Sequence, residues 1–312
     1  MPQLREYQTT AIDKIRNEFA KGKKKVLLVA PTGSGKTVIA SSIINQAVNK
    51  GKSCMFVAHR RELVMQCSRK LSDFDIFHGV LMANKSETED ARVQVASVQT
   101  FISRKDKTFF NKPKADLIIL DEAHRSVSNS FQELIKEYPE SYIIGLTATP
   151  CRSDGRGLGN IYDELVEASS IKELINQGYL VPNRILAPTV PDLKDIKILG
   201  GDYEKRSLDK KMNTPKLIGD IVTHWQLFGE NRPTVVFASS INHSRQIAKM
   251  FNNFNIPAGH IDGVMPELER EQQLNNLDTG KIKVLCNCQV LTEGWDQPKV
   301  SCVIIARPTR SY

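Results

Sequence analysis

The sequence predicts an α/β fold with two tandem, mainly parallel sheets, each covered by helices on both faces. Apolar runs of strand length alternate with helical patterns through most of the chain. The alternation pauses between about residues 183 and 212 and then resumes. A length of 312 residues also favours two domains over one. We therefore predict domains at residues 1–183 and 184–312.

In the first half, an amphipathic helix is predicted over about residues 7–20, because Ala11, Ile12 and Ile15 share one helical face. Helices are also predicted at 62–72 and 131–137. Such helices, alternating with strands that are almost wholly apolar, indicate a parallel sheet buried on both sides. The predicted strands are Val26–Ala30, Cys54–Ala58, Val93–Ser97, Leu117–Asp121 and Tyr142–Thr147.

The pause at 183–212 is rich in proline and glycine and has few periodic apolar positions, so we predict an irregular entry into the second domain. The same alternation returns after it. Helices are predicted at 217–228, 244–254 and 267–277. Strands are predicted at Thr234–Ala238, Ala258–Ile261, Lys283–Asn287 and Val300–Ala306.

Composition limits the possible classes of protein. Hydrophobic residues make up 40% and charged residues 25%, as in an ordinary globular protein. No apolar stretch approaches the ~20 residues that span a bilayer, and the N-terminus lacks the apolar segment of a signal peptide. We therefore expect a cytoplasmic protein without a membrane partner. A net charge of +8 suits a phosphate-rich polymer as partner.

The six cysteines form no C-x-x-C pair, which argues against a zinc or redox motif. Cys286 and Cys288 alternate along a predicted strand. Buried reduced thiols are the expected state of both.

A glycine-rich turn joins the first predicted strand to a helix. Residues 30–37 read Ala-Pro-Thr-Gly-Ser-Gly-Lys-Thr, with alanine where the strict phosphate-loop pattern has glycine. Backbone N–H groups of such a turn wrap phosphates, and the helix N-terminus adds partial positive charge. Lys36 supplies a charge for the β- and γ-phosphates, and the Thr37 hydroxyl is placed to bind Mg²⁺. The loop residues expected to contact nucleotide are Thr32, Gly33, Ser34, Gly35, Lys36 and Thr37.

A second candidate site follows the apolar run at 117–120, where Asp121 and Glu122 stand at a predicted strand end. Open α/β sheets place their ligands at such carboxyl ends. Asp121 is suited to hold Mg²⁺, and Glu122 to orient and deprotonate an attacking water. His124 is placed to report nucleotide state, and Thr147 and Thr149 supply hydroxyls at the same sheet edge.

Taken in order, these motifs resemble those of a superfamily 2 helicase or translocase of the DEAH-box kind. The phosphate loop is similar to motif I, residues 121–124 to motif II and residues 147–150 to motif III. Residues 4–8 resemble an adenine-reading segment. The further resemblances are residues 58–63 to motif Ia, 97–100 to a nucleic-acid contact motif, 235–240 to motif IV and 291–296 to motif V.

The resemblance implies two RecA-like domains that use ATP and Mg²⁺, with motifs I–III in the first and motifs IV and V in the second. Gln8 would hydrogen-bond adenine, with Arg5, Gly294 and Asp296 also at the nucleotide. Lys36, Asp121 and Glu122 would be catalytic. Nucleic acid would be gripped mainly by its phosphates. Its expected contacts are Arg60, Arg61, Ser97, Gln99, Thr100, Ser239 and Thr292.

Within this superfamily, the segments 201–203 and 307–310 resemble those of RadD-like bacterial and phage proteins. The arginine-bearing motif VI of the family has no match before Tyr312. Arginines of this kind raise the rate of nucleotide hydrolysis by about 10³–10⁵-fold. We therefore expect a longer parent protein or complex, a second domain incomplete at its C-terminus, and a chain that binds ATP but hydrolyses it weakly.

Several functions remain open at this point. The chain could be the motor of a helicase or translocase, or a nucleotide-gated clamp on nucleic acid without productive turnover. It could also be the motor part of a restriction-type nuclease, although no nuclease carboxylate–lysine cluster stands out. A small-molecule kinase shares only the phosphate loop. DNA is favoured as partner by family analogy, and RNA is not excluded.

Overall fold

The computed structural model describes residues 3–83, 85–87, 90–151, 157–187, 191–199, 202–292, 295 and 297–308. The chain divides into two compact units, Met1–Asn183 and Arg184–Tyr312. Within the described ranges, no helix combines the length and the apolar character needed to cross a membrane.

The first unit is built on an eight-stranded sheet with the order β4-β3-β5-β2-β6-β7-β1-β8. All neighbouring strands are parallel except β3 and β4, which are antiparallel. The strands are β1 (Lys25–Val29), β2 (Cys54–Ala58), β3 (Gly79–Met82), β4 (Lys85–Glu87), β5 (Val93–Ser97), β6 (Leu117–Leu120), β7 (Tyr142–Thr147) and β8 (Glu164–Glu167).

Helices cover both faces of this sheet. Side chains of the first three helices, such as Ile39 and Val64, pack on one face, and Phe101 and Phe131 of the next two helices pack on the other. Alternate residues of β1 enter the two cores, since Leu28 lies in the first and Leu27 in the second. The helices are α1 (Glu6–Ala20), α2 (Lys36–Asn49), α3 (Arg61–Asp73), α4 (Val98–Arg104), α5 (Asn129–Lys136) and α6 (Ile171–Asn176), with a 3₁₀ turn at Ala123–Arg125.

The second unit contains a four-stranded parallel sheet and a short antiparallel pair, β9 (Ile198–Leu199) with β10 (Asp202–Tyr203). The larger sheet has the order β12-β13-β11-β14. Its strands are β11 (Thr234–Ala238), β12 (Ala258–Ile261), β13 (Val284–Asn287) and β14 (Cys302–Ala306). The helices are α7 (Lys205–Met212), α8 (Pro215–Phe228), α9 (Ile241–Asn253) and α10 (Glu267–Asp278).

The four-stranded sheet is also covered on both faces by helices. Ile218 of α8 and Phe251 of α9 pack on one face, and Leu277 of α10 packs on the other. At the β14 edge, the side chains of Val303 and Ile305 are 57% and 76% exposed. The α/β class with helix-covered parallel sheets is therefore confirmed in both units.

Most predicted elements are found within a few residues of their expected bounds, and β2, β5, β7, β11 and β12 match them. The prediction of an irregular segment up to residue 212 is wrong at its end, because α7 buries Leu208 and Met212, four residues apart on one face. The placement of both Cys286 and Cys288 on one strand is also wrong. That strand ends at Asn287, so Cys286 is buried but Cys288 lies beyond the strand and is half-buried.

Candidate functional site

The sheet order of the first unit gathers the predicted motifs of this unit along one edge. The parallel strands β5, β2, β6, β7 and β1 are consecutive neighbours. Their carboxyl ends carry Ser97, Arg60, Asp121, Thr147 and the phosphate loop, in that order. This edge is where open parallel sheets bind ligands.

The phosphate loop turns sharply between β1 and α2. Gly33 and Gly35 have φ angles of +79° and +80°, which side chains disfavour. A Cβ on Gly35 would lie 2.7 Å from the Gln8 side-chain nitrogen, so the backbone passes too close for a larger residue. The Ser34 hydroxyl is buried without a hydrogen-bond partner in the described part of the chain. The loop is thus a narrow cradle of backbone amides at the start of a helix.

Lys36, the first residue of α2, carries the positive charge of the cradle. Its amine lies 3.2 Å from the Ala30 carbonyl oxygen and 3.4 Å from that of Pro31. Burial lowers the pKa of the amine, and the charges of Glu122 and Asp121 oppose that shift. Within the described residues, no carboxylate forms an ion pair with Lys36, so its charge is available to an anionic ligand.

The start of α1 is bound to the loop by hydrogen bonds. The Tyr7 hydroxyl donates to the Ser34 carbonyl at 2.5 Å, and the Gln8 side-chain amide donates to the same oxygen at 3.0 Å. The Gln8 side-chain oxygen accepts from the Arg5 backbone N–H at 3.0 Å. Gln8 therefore contacts the loop itself, and Arg5 lies half-buried beside it.

Asp121 and Glu122 follow β6, two strands away from β1 in the sheet. The Glu122 backbone N–H donates to a carboxylate oxygen of Asp121 at 3.0 Å. Burial raises the pKa of Asp121 to about 6, and the neighbouring Glu122 charge adds to the rise. Glu122 has a φ of +50°, an unusual conformation for a non-glycine residue that is often retained at functional sites.

His124 connects the acid pair to the end of β7. Its Nδ1 atom lies 3.4 Å from a carboxylate oxygen of Glu122 and 3.4 Å from the Thr147 hydroxyl oxygen. The Thr147 hydroxyl donates to the Thr149 carbonyl at 2.8 Å, so towards His124 it acts as an acceptor. The proton of the imidazole is therefore assigned to Nδ1. The structure therefore brings His124, Thr147 and Thr149 together.

The site is consistent with ATP and Mg²⁺. The Thr37 hydroxyl and the Asp121 carboxylate are oxygen donors of the kind that Mg²⁺ prefers, alongside phosphates and water. The described residues contain no cluster of three or more His, Cys, Asp or Glu side chains that could hold a metal by themselves. A metal here would thus depend on the phosphates for part of its coordination.

The predicted nucleic-acid contacts of the first unit differ in accessibility. Ser97 and Thr100 are largely buried, whereas Gln99 and Arg61 are exposed and Arg60 is half-buried. The Ser97 hydroxyl donates to the Gln99 side-chain oxygen at 2.9 Å. The exposed pair is therefore the part of this set that is open to a polymer.

In the second unit, Ser239 follows β11 and its hydroxyl lies 2.9 Å from Nδ1 of the buried His243. The Ser239 backbone N–H also points at Nδ1, at 3.4 Å, so Nδ1 is the acceptor. Burial lowers the pKa of His243 to about 4. Thr292 is exposed. The predicted nucleotide contacts Gly294 and Asp296 lie outside the described residues.

Two protein-family models match the chain in tandem. The model described as the type III restriction enzyme res subunit matches residues 1–152, and the helicase conserved C-terminal domain matches residues 215–312. The chain belongs to superfamily 2 of the helicases. The RadD-like subgroup within superfamily 2 stays a prediction.

Relatives of known sequence agree with this placement. The chain is 32% identical to a Saccharomyces cerevisiae protein named as an ATP-dependent helicase, IRC3, over 99% of the chain and 48% of that protein. It is 28% identical to an Escherichia coli type I restriction enzyme EcoAI endonuclease subunit, over 80% of the chain and 34% of the subunit. The chain thus spans about half or less of the length of these superfamily 2 relatives.

Among solved structures, the fold matches the type ISP restriction-modification enzyme LlaBIII bound to DNA. The TM-score is 0.70 at 18% identity, over 99% of this chain and 26% of that one. At this identity, the likeness supports the tandem RecA-like fold and nothing finer.

Several contacts had not been predicted. Tyr7 belongs to the predicted adenine-reading segment 4–8, and His243 lies four residues after Ser239, but only the structure shows their hydrogen bonds to Ser34 and Ser239. Tyr162 packs against Gly145 of β7 so closely that no Cβ would fit there. Tyr179 lies over Arg5 with no motif to mark it.

Proposed function

We propose that this chain is the ATP-driven motor core of a nucleic-acid helicase or translocase, with DNA as the favoured track. The observation that carries the proposal is the phosphate loop, with the half-buried Lys36 amine that forms no ion pair with any described carboxylate, on the same sheet edge as Asp121 and Glu122. The superfamily membership supports ATP as fuel. We further propose that ATP hydrolysis drives movement along DNA or its unwinding.

We propose the following roles, which the positions of the residues support. The loop amides and Lys36 hold the β- and γ-phosphates, and Thr37 and Asp121 hold Mg²⁺. Bound Mg²⁺ supplies neutralisation of phosphate charge. Glu122 accepts a proton from the attacking water. Arg5 and Gln8 are proposed to contact the base.

Nucleic acid is proposed to bind through its phosphates, with Arg60, Arg61 and Gln99 in the first unit and Ser239 and Thr292 in the second. Backbone contacts carry no sequence code, so binding should be largely independent of sequence and should weaken with salt. The positive net charge of +8 favours the same partner.

The test is ATP hydrolysis measured without polymer and with single-stranded DNA, duplex DNA or RNA. Stimulation of hydrolysis by DNA supports the proposal. Lys36→Ala should abolish ATP binding, because the charge facing the phosphates is lost. Lys50→Ala, at the exposed far end of the same helix, is the matched control. Unchanged ATP affinity in Lys36→Ala would count against the phosphate-loop assignment.

A second candidate is the motor part of a restriction-type nuclease, which the res-subunit model over residues 1–152 favours. This reading predicts ATP-dependent movement on duplex DNA without strand separation. A strand-displacement assay run beside a translocation assay distinguishes the two. A nucleotide-gated clamp differs from both, since it would bind DNA in an ATP-dependent way without turnover.

A further inference from the structure

The turn that follows α6, residues 177–180, lies against the phosphate loop and the start of α1. Gly178 has a φ of +74°, and the N–H groups of Tyr179 and Leu180 both donate to the Leu174 carbonyl, at 2.8 and 3.1 Å. This is a helix end closed by a left-handed glycine. The turn is therefore a fixed structure that presents its two apolar side chains in defined directions.

Tyr179 contacts the segment proposed to read the base. The central guanidinium carbon of Arg5 lies 4.3 Å from the centre of the Tyr179 ring, a cation–π distance. The ring of Tyr7 is 5.6 Å from the same ring. An Arg5 nitrogen also lies 3.4 Å from the Tyr7 hydroxyl oxygen. Arg5 therefore contacts the ring of Tyr179 and the hydroxyl of Tyr7.

These contacts continue to the loop that would hold the phosphates. The Tyr7 hydroxyl donates to the Ser34 carbonyl at 2.5 Å. Beside Tyr179, the Leu180 side chain covers Gly33, where an added Cβ would lie 3.0 Å from its methyl carbon. Three segments far apart in sequence therefore meet, and Tyr179 is the member that contacts Arg5 from outside α1.

We propose that Tyr179 is a positioning residue for the nucleotide base, which acts by fixing the guanidinium plane of Arg5. A fixed guanidinium offers a flat face on which a purine stacks, and stacking of this kind depends on orientation. The inference rests on the proposed ATP site and adds a base-selecting residue to it. Tyr179 lies outside every helicase motif of the chain.

The test compares two ligands on Tyr179→Leu. ATP contacts both the base segment and the phosphate loop, whereas inorganic tripolyphosphate has no base. Tyr179→Leu should weaken ATP binding about two- to fivefold, the loss expected for one partly exposed cation–π contact, and should leave tripolyphosphate binding unchanged. Its preference for ATP over UTP should fall by a similar factor. Tyr179→Phe keeps the ring and should restore both values.

Tyr142→Leu is the matched control. Tyr142 is 41% exposed and Tyr179 is 38% exposed, and Tyr142 lies at the start of β7, at the sheet edge opposite the phosphate loop. Its loss should leave both ligands unaffected. Thermal unfolding of the variants verifies that each one folds.

The outcomes distinguish the role of Tyr179 from the proposed ATP site on which it rests. If the wild-type chain binds ATP and Tyr179→Leu binds it equally well, the inference is overturned and the ATP site stands. Equal losses for ATP and tripolyphosphate also overturn it, because the residue would then only support the loop. If the wild-type chain and Lys36→Ala bind ATP equally poorly, the proposed function fails and the inference fails with it.

Discussion

The imidazole Nδ1 of His124 lies 3.4 Å from the hydroxyl oxygen of Thr147, across the gap between two neighbouring strand ends. The same nitrogen is within reach of Glu122. His124 therefore contacts both the proposed catalytic base and the strand end whose backbone supports the phosphate loop, since the Thr147 carbonyl accepts from the Ala30 N–H at 2.9 Å.

We expect His124→Ala to weaken the link between DNA binding and ATP hydrolysis. ATP binding should stay within about twofold of wild type, because the lost contacts are long and partly exposed, and weak contacts of this kind contribute little. Stimulation of hydrolysis by DNA should fall at least severalfold. The stimulation is measured as the rate of ATP hydrolysis at saturating ATP and increasing DNA concentration. Full stimulation in the variant would show that the His124–Thr147 contact does not link DNA binding to hydrolysis.

Glu122→Gln should bind ATP and Mg²⁺ with near wild-type affinity and lose hydrolysis by about 10²–10⁴-fold, the usual contribution of a general base. The amide keeps the size of the side chain and cannot accept the proton. Binding is measured by calorimetry and hydrolysis by single-turnover phosphate release. Glu133→Gln on α5 is the control, because this carboxylate pairs with Lys105. Normal turnover in Glu122→Gln would exclude Glu122 as the base.

The buried His243 is expected to make the stability of the second unit depend on pH. Burial lowers its pKa from 6.5 to about 4. Between those values the unfolded chain binds more protons, so the free energy of unfolding falls as pH drops from 6.5 towards 4. The free energy of unfolding is therefore highest above pH 6.5. Protonation of His243 in the unfolded chain lowers it by about 3 kcal/mol at most as the pH falls below 4.

The measurement for His243 is the midpoint of urea unfolding at several pH values from 4.5 to 7.5. In His243→Asn, the side-chain oxygen can still accept from Ser239, but the titrating group is gone. Its stability should therefore vary less with pH than that of the wild type. The control His224→Asn alters a partly exposed histidine on α8. An equally steep dependence in His243→Asn would contradict the assignment.

Gly145 is predicted to tolerate no side chain. Carbons of the Tyr162 ring would lie 2.5 and 2.7 Å from an added Cβ, far inside normal contact. Gly145→Ala should lower the free energy of unfolding by about 1–3 kcal/mol through overpacking. The double variant with Tyr162→Leu should recover part of that loss, and a double-mutant cycle by chemical denaturation measures the coupling. Additive effects would mean that the two residues do not meet.

Local pattern explains which parts of the fold were predictable. Strands such as β2 and β6 are buried along their whole length, so their apolar runs marked them in the sequence. Edge strand β8 buries only Val166 and carries acidic residues at both ends, which leaves no periodic signal. Helix α7 has two buried residues in eight, which is too few to separate it from a loop.

The candidate site shows the same division. The phosphate loop and the acid pair are continuous in sequence, so their chemistry could be inferred before their geometry was known. The contact between Tyr179 and Arg5 depends on two segments that meet only after folding. The conformation of Glu122 also could not be predicted, because a positive φ is uncommon for any residue other than glycine.

The Ser34 carbonyl accepts hydrogen bonds from both Tyr7 and Gln8, so the first turn of α1 and the phosphate loop share their local stability. Opening the loop requires releasing the helix start, and fraying of the helix frees the loop. A ligand that orders the loop therefore also protects the backbone amides of α1 from solvent exchange. Amide exchange in the amino-terminal helix should thus report whether the nucleotide site is occupied.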